Sequence, residues 1–364
     1  MAGANPAMTA SNSCDVPGKE TSMTAPAPGD TAERLSPTGS AGRLRFYLTN
    51  EFGLLVLILL FGALFASLSG GFLSTFNQFT LWRTAAVNTV IGFAMMTVIV
   101  TGGLNLAVGA IGICAAMACG WLIQVLGAPG PVGIAGALAL GAGLGFVNGW
   151  TVVRSGLHSF IITLATMSIF FGVMVYLTHG ESFRSLPPSF AEFGRTRYFG
   201  VVSPMLIVAV LTGLALIALY RFTALGREML AAGAKPEAAE LSGVRVGRVF
   251  ILCHMLSGLL AGVAALLLVM RNGAAIPSMA GQLGQDWLLP AFLGPVLGGT
   301  LLSGGRVSVV GTFLGAALVT MLTSGLLLLR IGEFWVQACL GLVLLLAVLM
   351  DVARKRYLAH RRMV

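Results

Sequence analysis

Charge is what this sequence has least of. Asp, Glu, Lys and Arg make up 10% of its 364 residues, where a soluble domain carries about 25%. From Thr84 to Val153 a run of 70 residues contains none of the four. A soluble globular domain is thereby excluded. By length the run holds about three membrane spans of roughly 20 residues each. Constellations that carry chemistry are missing as well. No zinc-ligand spacing, nucleophile elbow or catalytic dyad occurs. Gly18-Lys19 is followed by Glu20 and lacks the upstream glycines of a phosphate-binding loop. Catalytic, cofactor and metal sites are therefore not expected. The five cysteines show no disulfide or ligand spacing, and Cys114, Cys119, Cys253 and Cys339 sit inside apolar runs as small filler.

What is present is apolar length. Hydrophobic residues are 57% of the chain, and the mean hydropathy is +0.91. Besides the 84–153 run, uncharged stretches cover 52–82, 155–180, 198–220, 249–270, 287–305, 307–329 and 334–350. The fold class this predicts is all-α, a polytopic membrane bundle of about ten transmembrane helices. They are placed near 53–70, 84–101, 107–126, 132–153, 158–178, 202–220, 248–270, 288–303, 307–329 and 334–351. Residues 1–45, rich in Pro, Gly, Ser, Thr and Ala, read as a disordered tail. They show no basic region leading straight into an apolar core, so a cleavable signal peptide is not expected.

The net charge of +9 invites a nucleic-acid partner, but the basic residues are distributed as a membrane requires. With both ends cytoplasmic, the tail, Arg154, the 221–248 loop, Arg306 and the C-terminus hold 16 of the 22 Lys and Arg. Arg83, Arg184, Arg195, Arg197, Arg271 and Arg330 are left outside. That bias follows the positive-inside rule. The basic tail 352–364 suits an anionic inner leaflet.

Between two apolar runs lies a polar island, Arg221 to Arg248, with eight of the 35 charged side chains. Pro236 stands where a first helical residue tolerates a missing N–H, Glu237 falls in the first turn, and Gly243 follows as a left-handed cap. A plain connection needs none of these, so the island reads as a small helix presented on the water side.

Three features lie within the apolar regions. Gly133, Ala137, Gly141, Gly145 and Gly149 recur every four residues, as do Gly258/Gly262 and Gly311/Gly315, giving smooth faces for static packing or for a moving interface. Thr101-Gly102-Gly103-Leu104-Asn105 breaks a helix pair near membrane depth. Asn105 either satisfies freed backbone groups there or contacts solute. A second glycine-rich break, Gly298 to Gly305, separates spans eight and nine and echoes the first. Ser159, Thr163 and Thr166 share one helix face. Their hydroxyls either line a path for a polyhydroxylated solute or bond back to their own helix. No Asp, Glu, Lys or Arg lies near an expected midplane, which lowers the standing of a proton- or ion-coupled carrier.

At these residues the chain resembles permease subunits of bacterial ATP-binding-cassette importers for ribose and related sugars. The resemblance covers about 75–351 and rests on TGGLNLAVG at 101–109, FIITLATMSIFFG at 160–172, GREMLAAGAKPEAAELSGVRVGRV at 226–249 and LGGTLLSGGRVSVVGTFLGA at 297–316. It implies a type II importer-like permease domain at 46–351, in an inner membrane, that moves a monosaccharide or related solute. The alternative is an ion-coupled secondary transporter. The partners it implies are a cytoplasmic ATPase, a periplasmic solute-binding protein and a second permease subunit, identical or not, in contact with lipid. The loop 221–248 becomes the coupling loop. Its docking helix is Ala234, Lys235, Pro236, Glu237, Ala238, Ala239, Glu240, Leu241, Ser242 and Gly243, with small Ala238 and Ala239 expected to sit deep in an ATPase groove. Asn105, Ser159, Thr163 and Thr166 become candidates for the solute path. The sequence departs from the family pattern at Asn105, usually Asp, and at Ala107, usually Ser. Leu288 and Pro290 replace common acidic residues, with Asp286 nearby.

Overall fold

The computed structural model describes residues 50–362, so the expected tail at 1–45 lies outside them. The described residues form thirteen α-helices and no strand. In chain order these are α1 Asn50–Leu68, α2 Thr75–Ile99, α3 Val108–Gln124, α4 Gly130–Ser155, α5 Ser159–Thr178, α6 Pro188–Arg195 and α7 Pro204–Phe222. Then come α8 Ala224–Ala234, α9 Pro236–Leu241, α10 Val246–Asn272, a 3-10 turn Gln282–Trp287, α11 Leu288–Leu297, α12 Val309–Leu328 and α13 Glu333–Arg362.

Local chemistry sets many of the boundaries. The hydroxyls of Ser74, Ser203, Thr223 and Ser308 cap α2, α7, α8 and α12 by accepting backbone N–H groups. Pro188, Pro204 and Pro236 stand in first turns. Gly156 and Gly273 close α4 and α10 in the left-handed conformation.

Among the described residues, seven helices are long and apolar enough to cross a membrane: α1, α2, α4, α5, α7, α10 and α12. α3 and the apolar part of α13, Phe334–Leu346, are shorter. The eighth expected span, 288–303, is not one. Its helix α11 has 10 residues, about 15 Å of rise, half of a hydrocarbon core of about 30 Å. Leu283 and Gly284 adopt positive φ just before it, and Gly299 does so just after. Hydropathy counts those residues as apolar but is blind to their backbone. Two other boundaries differ. α2 begins at Thr75 rather than near 84, because Arg83 is accommodated inside the helix, its guanidinium over the Phe79 ring at 5.2 Å. α13 continues as helix to Arg362, through the residues expected to form a tail; Arg, Lys, Ala and Leu are all good helix formers.

α2 and α10 form the centre and are buried along most of their length, whereas α1 faces outward on most sides. α10 packs most closely on α4, through the glycine stripe. A Cβ added at Gly258 would strike the Gly141 carbonyl, and one at Gly141 would lie 2.5 Å from the Gly258 carbonyl. Two backbones in direct contact maximise dispersion where lipid supplies no hydrophobic drive.

Opposite ends of the bundle are tied separately. At one end Ser308 Oγ donates to Glu51 Oε1 (2.7 Å), joining the starts of α1 and α12, and Gly305 N–H donates to Val100 O (2.8 Å). At the other end Phe183 and Ala275 exchange two backbone hydrogen bonds of 2.9 Å, and α6 lies across α10. These are called below the loop end, which carries α8 and α9, and the α6 end.

Gly258→Leu should lower the melting temperature of the detergent-purified protein, at an overpacking cost of about 1–3 kcal/mol. Gly143→Leu, where an added Cβ meets nothing within 4 Å, should not. Equal melting of the two variants would refute backbone-contact packing of α4 on α10.

Candidate functional site

α2 ends at Ile99, and the chain does not become helical again until Val108. Gly102 turns it with φ +77. The segment then enters the bundle beside α5 and α10. Three of the amides it frees find side chains. Leu104 N–H donates to Ser159 Oγ (2.8 Å), Leu106 N–H to Thr163 Oγ1 (3.1 Å), and Ala107 N–H to Asn105 Oδ1 (3.1 Å). Thr163 Oγ1 donates in turn to Ser159 O (2.8 Å). Asn105 Nδ2 reaches Ser257 Oγ (3.0 Å), and Ser257 stands near the middle of α10. Asn105, at 0% exposure, therefore lies inside the bundle, between the first turn of α5 and the middle of α10.

The structure thus brings Asn105, Ser159 and Thr163 together, with their polar atoms turned onto the chain's own backbone. Thr166 lies outside this cluster, half-buried, and its hydroxyl donates to Thr163 O (3.3 Å).

A second interrupted segment meets the first. Ala275 sits at the α6 end, where it and Phe183 pack on Gly120 of α3. By Gly284 the chain has reached Gly109, against which the two backbones touch. Eleven residues of α3 separate Gly120 from Gly109, about 16 Å of descent. The 3-10 turn follows, Trp287 covers Gly112, and α11 runs on toward the loop end, antiparallel to α12. α3 leaves the same level in the opposite direction. Two helices thus start inside the bundle and point to opposite faces, α3 with 17 residues and the half-length α11 with 10, the discontinuous arrangement that transporters place around a path.

The echo expected between 101–109 and 298–305 is therefore misplaced. The counterpart of 101–107 is 276–287, while 298–308 is a surface turn at the loop end. Sequence reasoning named Asp286 only as an acid near Leu288 and Pro290 and missed Gln282 and Gln285; the 3-10 turn leaves all three exposed beside the level of Gly109. The available signal was Gly281 and Gly284 spaced among polar residues directly before an apolar run. Hydropathy reads that pattern as an external loop.

At the loop end, α9 is bounded as its sequence demands. Pro236 occupies the first turn, Gly243 has φ +84, and Gly243 and Val244 donate to Glu240 O and Ala239 O. Glu237, Ala238, Glu240 and Leu241 are exposed, Leu241 at 92%. Ala239 departs from expectation. It is 5% exposed and belongs to the protein's own core, because the short helix turns that face toward α10. The last turn of α8 is wedged against two other backbones: a Cβ on Gly233 would strike Val100 O and lie 2.6 Å from Gly305 N.

At the α6 end, arginines gather without acidic partners. Arg83 donates to Gly194 O (3.3 Å), and Arg197 lies 4.5 Å over the Phe79 ring that Arg83 also covers. The charges of Arg195 and Arg197 reach Arg83, and that of Arg83 reaches Arg271. None of the four forms an ion pair among the described residues.

A family model described as the permease component of the branched-chain amino acid transport system matches residues 77–349. The chain is 34% identical over 305 residues to the ribose import permease protein RbsC of Escherichia coli (strain K12), covering 82% of this chain and 92% of that one. It is 32% identical over 306 residues to the fructose import permease protein FrcC of Rhizobium meliloti, covering 82% and 84%. It is 30% identical over 352 residues to the xylose transport system permease protein XylH of Escherichia coli (strain K12), covering 79% and 87%. No solved structure matches the chain. The model's description names amino acids and the relatives' names name sugars, so these likenesses define an architecture rather than a solute.

Replacing Asn105 tests the break. Asn105→Leu strands the Ala107 amide and the Ser257 hydroxyl, at a cost of about 1–3 kcal/mol, and should reduce both melting temperature and activity. Asn105→Asp keeps the acceptor at the start of α3, where the helix dipole favours an acid, and should be tolerated better. Thermal melts that rank Leu level with wild type would refute this role.

Proposed function

The chain belongs to the branched-chain amino acid transport permease family, and we propose that this protein is the membrane-spanning subunit of an ATP-binding-cassette importer for a monosaccharide or related polyhydroxylated solute. The observation that carries the reading is the loop between α7 and α10. It holds an exposed, capped two-turn element, with Leu241 at its tip and Glu237 and Glu240 beside it. A connection that only joined two spans would gain nothing from exposing a leucine to water. A docking element gains roughly 1.5–3 kcal/mol when such a side chain is buried in a partner's groove.

In this reading the partner is a cytoplasmic ATPase, since the chain carries no phosphate-binding loop. Both termini lie in the cytoplasm, consistent with the basic bias. Motion of α9 reaches α8, whose Gly233 is wedged on Val100 at the start of the Asn105 break and on Gly305 of the turn after α11. Rigid-body displacement at the loop end is thereby delivered to both α3 and α11. A second permease subunit completes the path. Ser159 and Thr163 shape its wall by holding the broken segment, and Thr166 keeps partial exposure beside them. The names of the relatives, for ribose, fructose and xylose, support a sugar as cargo. At the α6 end the four arginines offer an acidic face of a solute-binding protein a place to dock.

Co-purification with the ATPase and uptake into cells test the docking element. Leu241→Asp should reduce both about tenfold or more, since 1.4 kcal/mol is a factor of ten, at normal membrane abundance. Ala239→Arg should instead depress the melting temperature, because that position lies in the bundle. An L241D protein that retains the ATPase and transports normally overturns the assignment. Arg197→Glu should slow uptake at low binding-protein concentration while the ATPase stays attached. Unchanged uptake across all concentrations would remove the arginine patch from the mechanism.

A further inference from the structure

Gln282, Gln285 and Asp286 occupy a place where exposed polar groups need an explanation. Their turn is anchored at mid-depth on both sides: Gly284 rests on Gly109, Trp287 covers Gly112, and Ala261 O of α10 lies against the same glycine. The turn also neighbours α5, whose buried hydroxyls hold the Asn105 segment. All three side chains are exposed, and none has a hydrogen-bond or ion-pair partner among the described residues. At this depth a lipid-facing carboxylate without a partner is strongly disfavoured, and ionisable groups turn instead toward a wet cavity or a bundle interior.

The backbone is shaped around the acid. Gly281 has φ 75 and ψ −179, open to glycine alone, and a Cβ there would lie 2.6 Å from the Asp286 carboxylate. Asp286 N–H donates to Ala280 O (3.2 Å), which closes the turn so that the carboxylate rests on the α-carbon of Gly281. A side chain at position 281 would displace the carboxylate from where it lies.

We propose that Gln282, Gln285 and Asp286 form a solute-contact site on the transport path at mid-depth, where the carboxylate accepts hydrogen bonds from solute hydroxyls and the two amides donate and accept. The site rests on the importer reading and adds to it the residues that meet the cargo. Its chemistry suits a neutral polyol or sugar. One acid and two amides offer several directional bonds. The segment 276–281 leads down to the site from the α6 end, so the site is reached from the side opposite α9.

The test uses the assembled transporter with its ATPase in membranes, and D-ribose, D-fructose and D-xylose as probes. A charged methanethiosulfonate reagent should label Gln285→Cys at least ten times faster than it labels the wild-type protein, and the transported sugar with its binding protein should slow that labelling. Asp286→Asn should lower the maximal uptake rate at least tenfold, or shift the preference among the three sugars. ATPase attachment and the binding-protein concentration for half-maximal uptake should stay unchanged. Gly281→Ala should reproduce the Asp286→Asn phenotype. An unlabelled Q285C transporter, or D286N and G281A variants with wild-type rates for every sugar, overturns the proposal. If D286N fails to accumulate, the Q285C labelling decides alone. A wild-type complex that transports none of the sugars counts against the importer reading for sugars, and the labelling still decides whether the turn faces water.

Discussion

A chain that stops being helical inside a membrane must find a partner for every amide it frees, because no water is there to supply one. The segment between α2 and α3 meets much of this demand with three side chains. Ser159, Thr163 and Asn105 take the amides of Leu104, Leu106 and Ala107, and Ser257 takes the Asn105 amide in turn. Through these bonds α3, α5 and α10 are held in register around one point inside the bundle. Much else depends on that point: the short α3, the meeting with the second interrupted segment, and the opposite courses of α3 and α11.

Close backbone approach turns this local arrangement into a connected frame. Helices in lipid associate through packing rather than hydrophobic drive, and glycine lets them do so over their full length. α4 lies on α10 at Gly141 and Gly258, the two interrupted segments touch at Gly109 and Gly284, and the loop end is stacked through Gly233, Gly305 and Val100. Where backbones touch, displacement of one is displacement of the other. The loop end is thereby joined through backbone contacts to the start of the Asn105 segment and to the turn after α11.

Charge is scarce in this chain, and its positions carry meaning. At the α6 end Arg83 and Arg197 share the Phe79 ring, with Arg83 half-buried and Arg197 exposed. Asp286 is the acid that the tertiary structure carries into the middle of the bundle. Side chains that elsewhere would be taken for a solvated loop acquire a different standing once the depth of their backbone is known.

The sequence by itself determined the all-α membrane bundle, the small helix at Pro236–Leu241 and the broken helix pair at Asn105, but not how many of its apolar runs are full spans. These follow from hydropathy, charge-free length and cap residues, all of which are local properties. It left open whether the hydroxyls of Ser159 and Thr163 served a path or a backbone; the folded chain turns them onto amides more than fifty residues away in sequence. It placed Ala239 on a docking face, and the rotation of a six-residue helix put it in the core instead. It took the region before α11 for a loop followed by a full span. Depth in a membrane is set by what a segment packs against, here Gly109 and Gly112 of a distant helix, and a backbone that descends without helical periodicity leaves no trace in hydropathy. Only the tertiary structure decided which polar groups lie at mid-depth and which of them are already bonded.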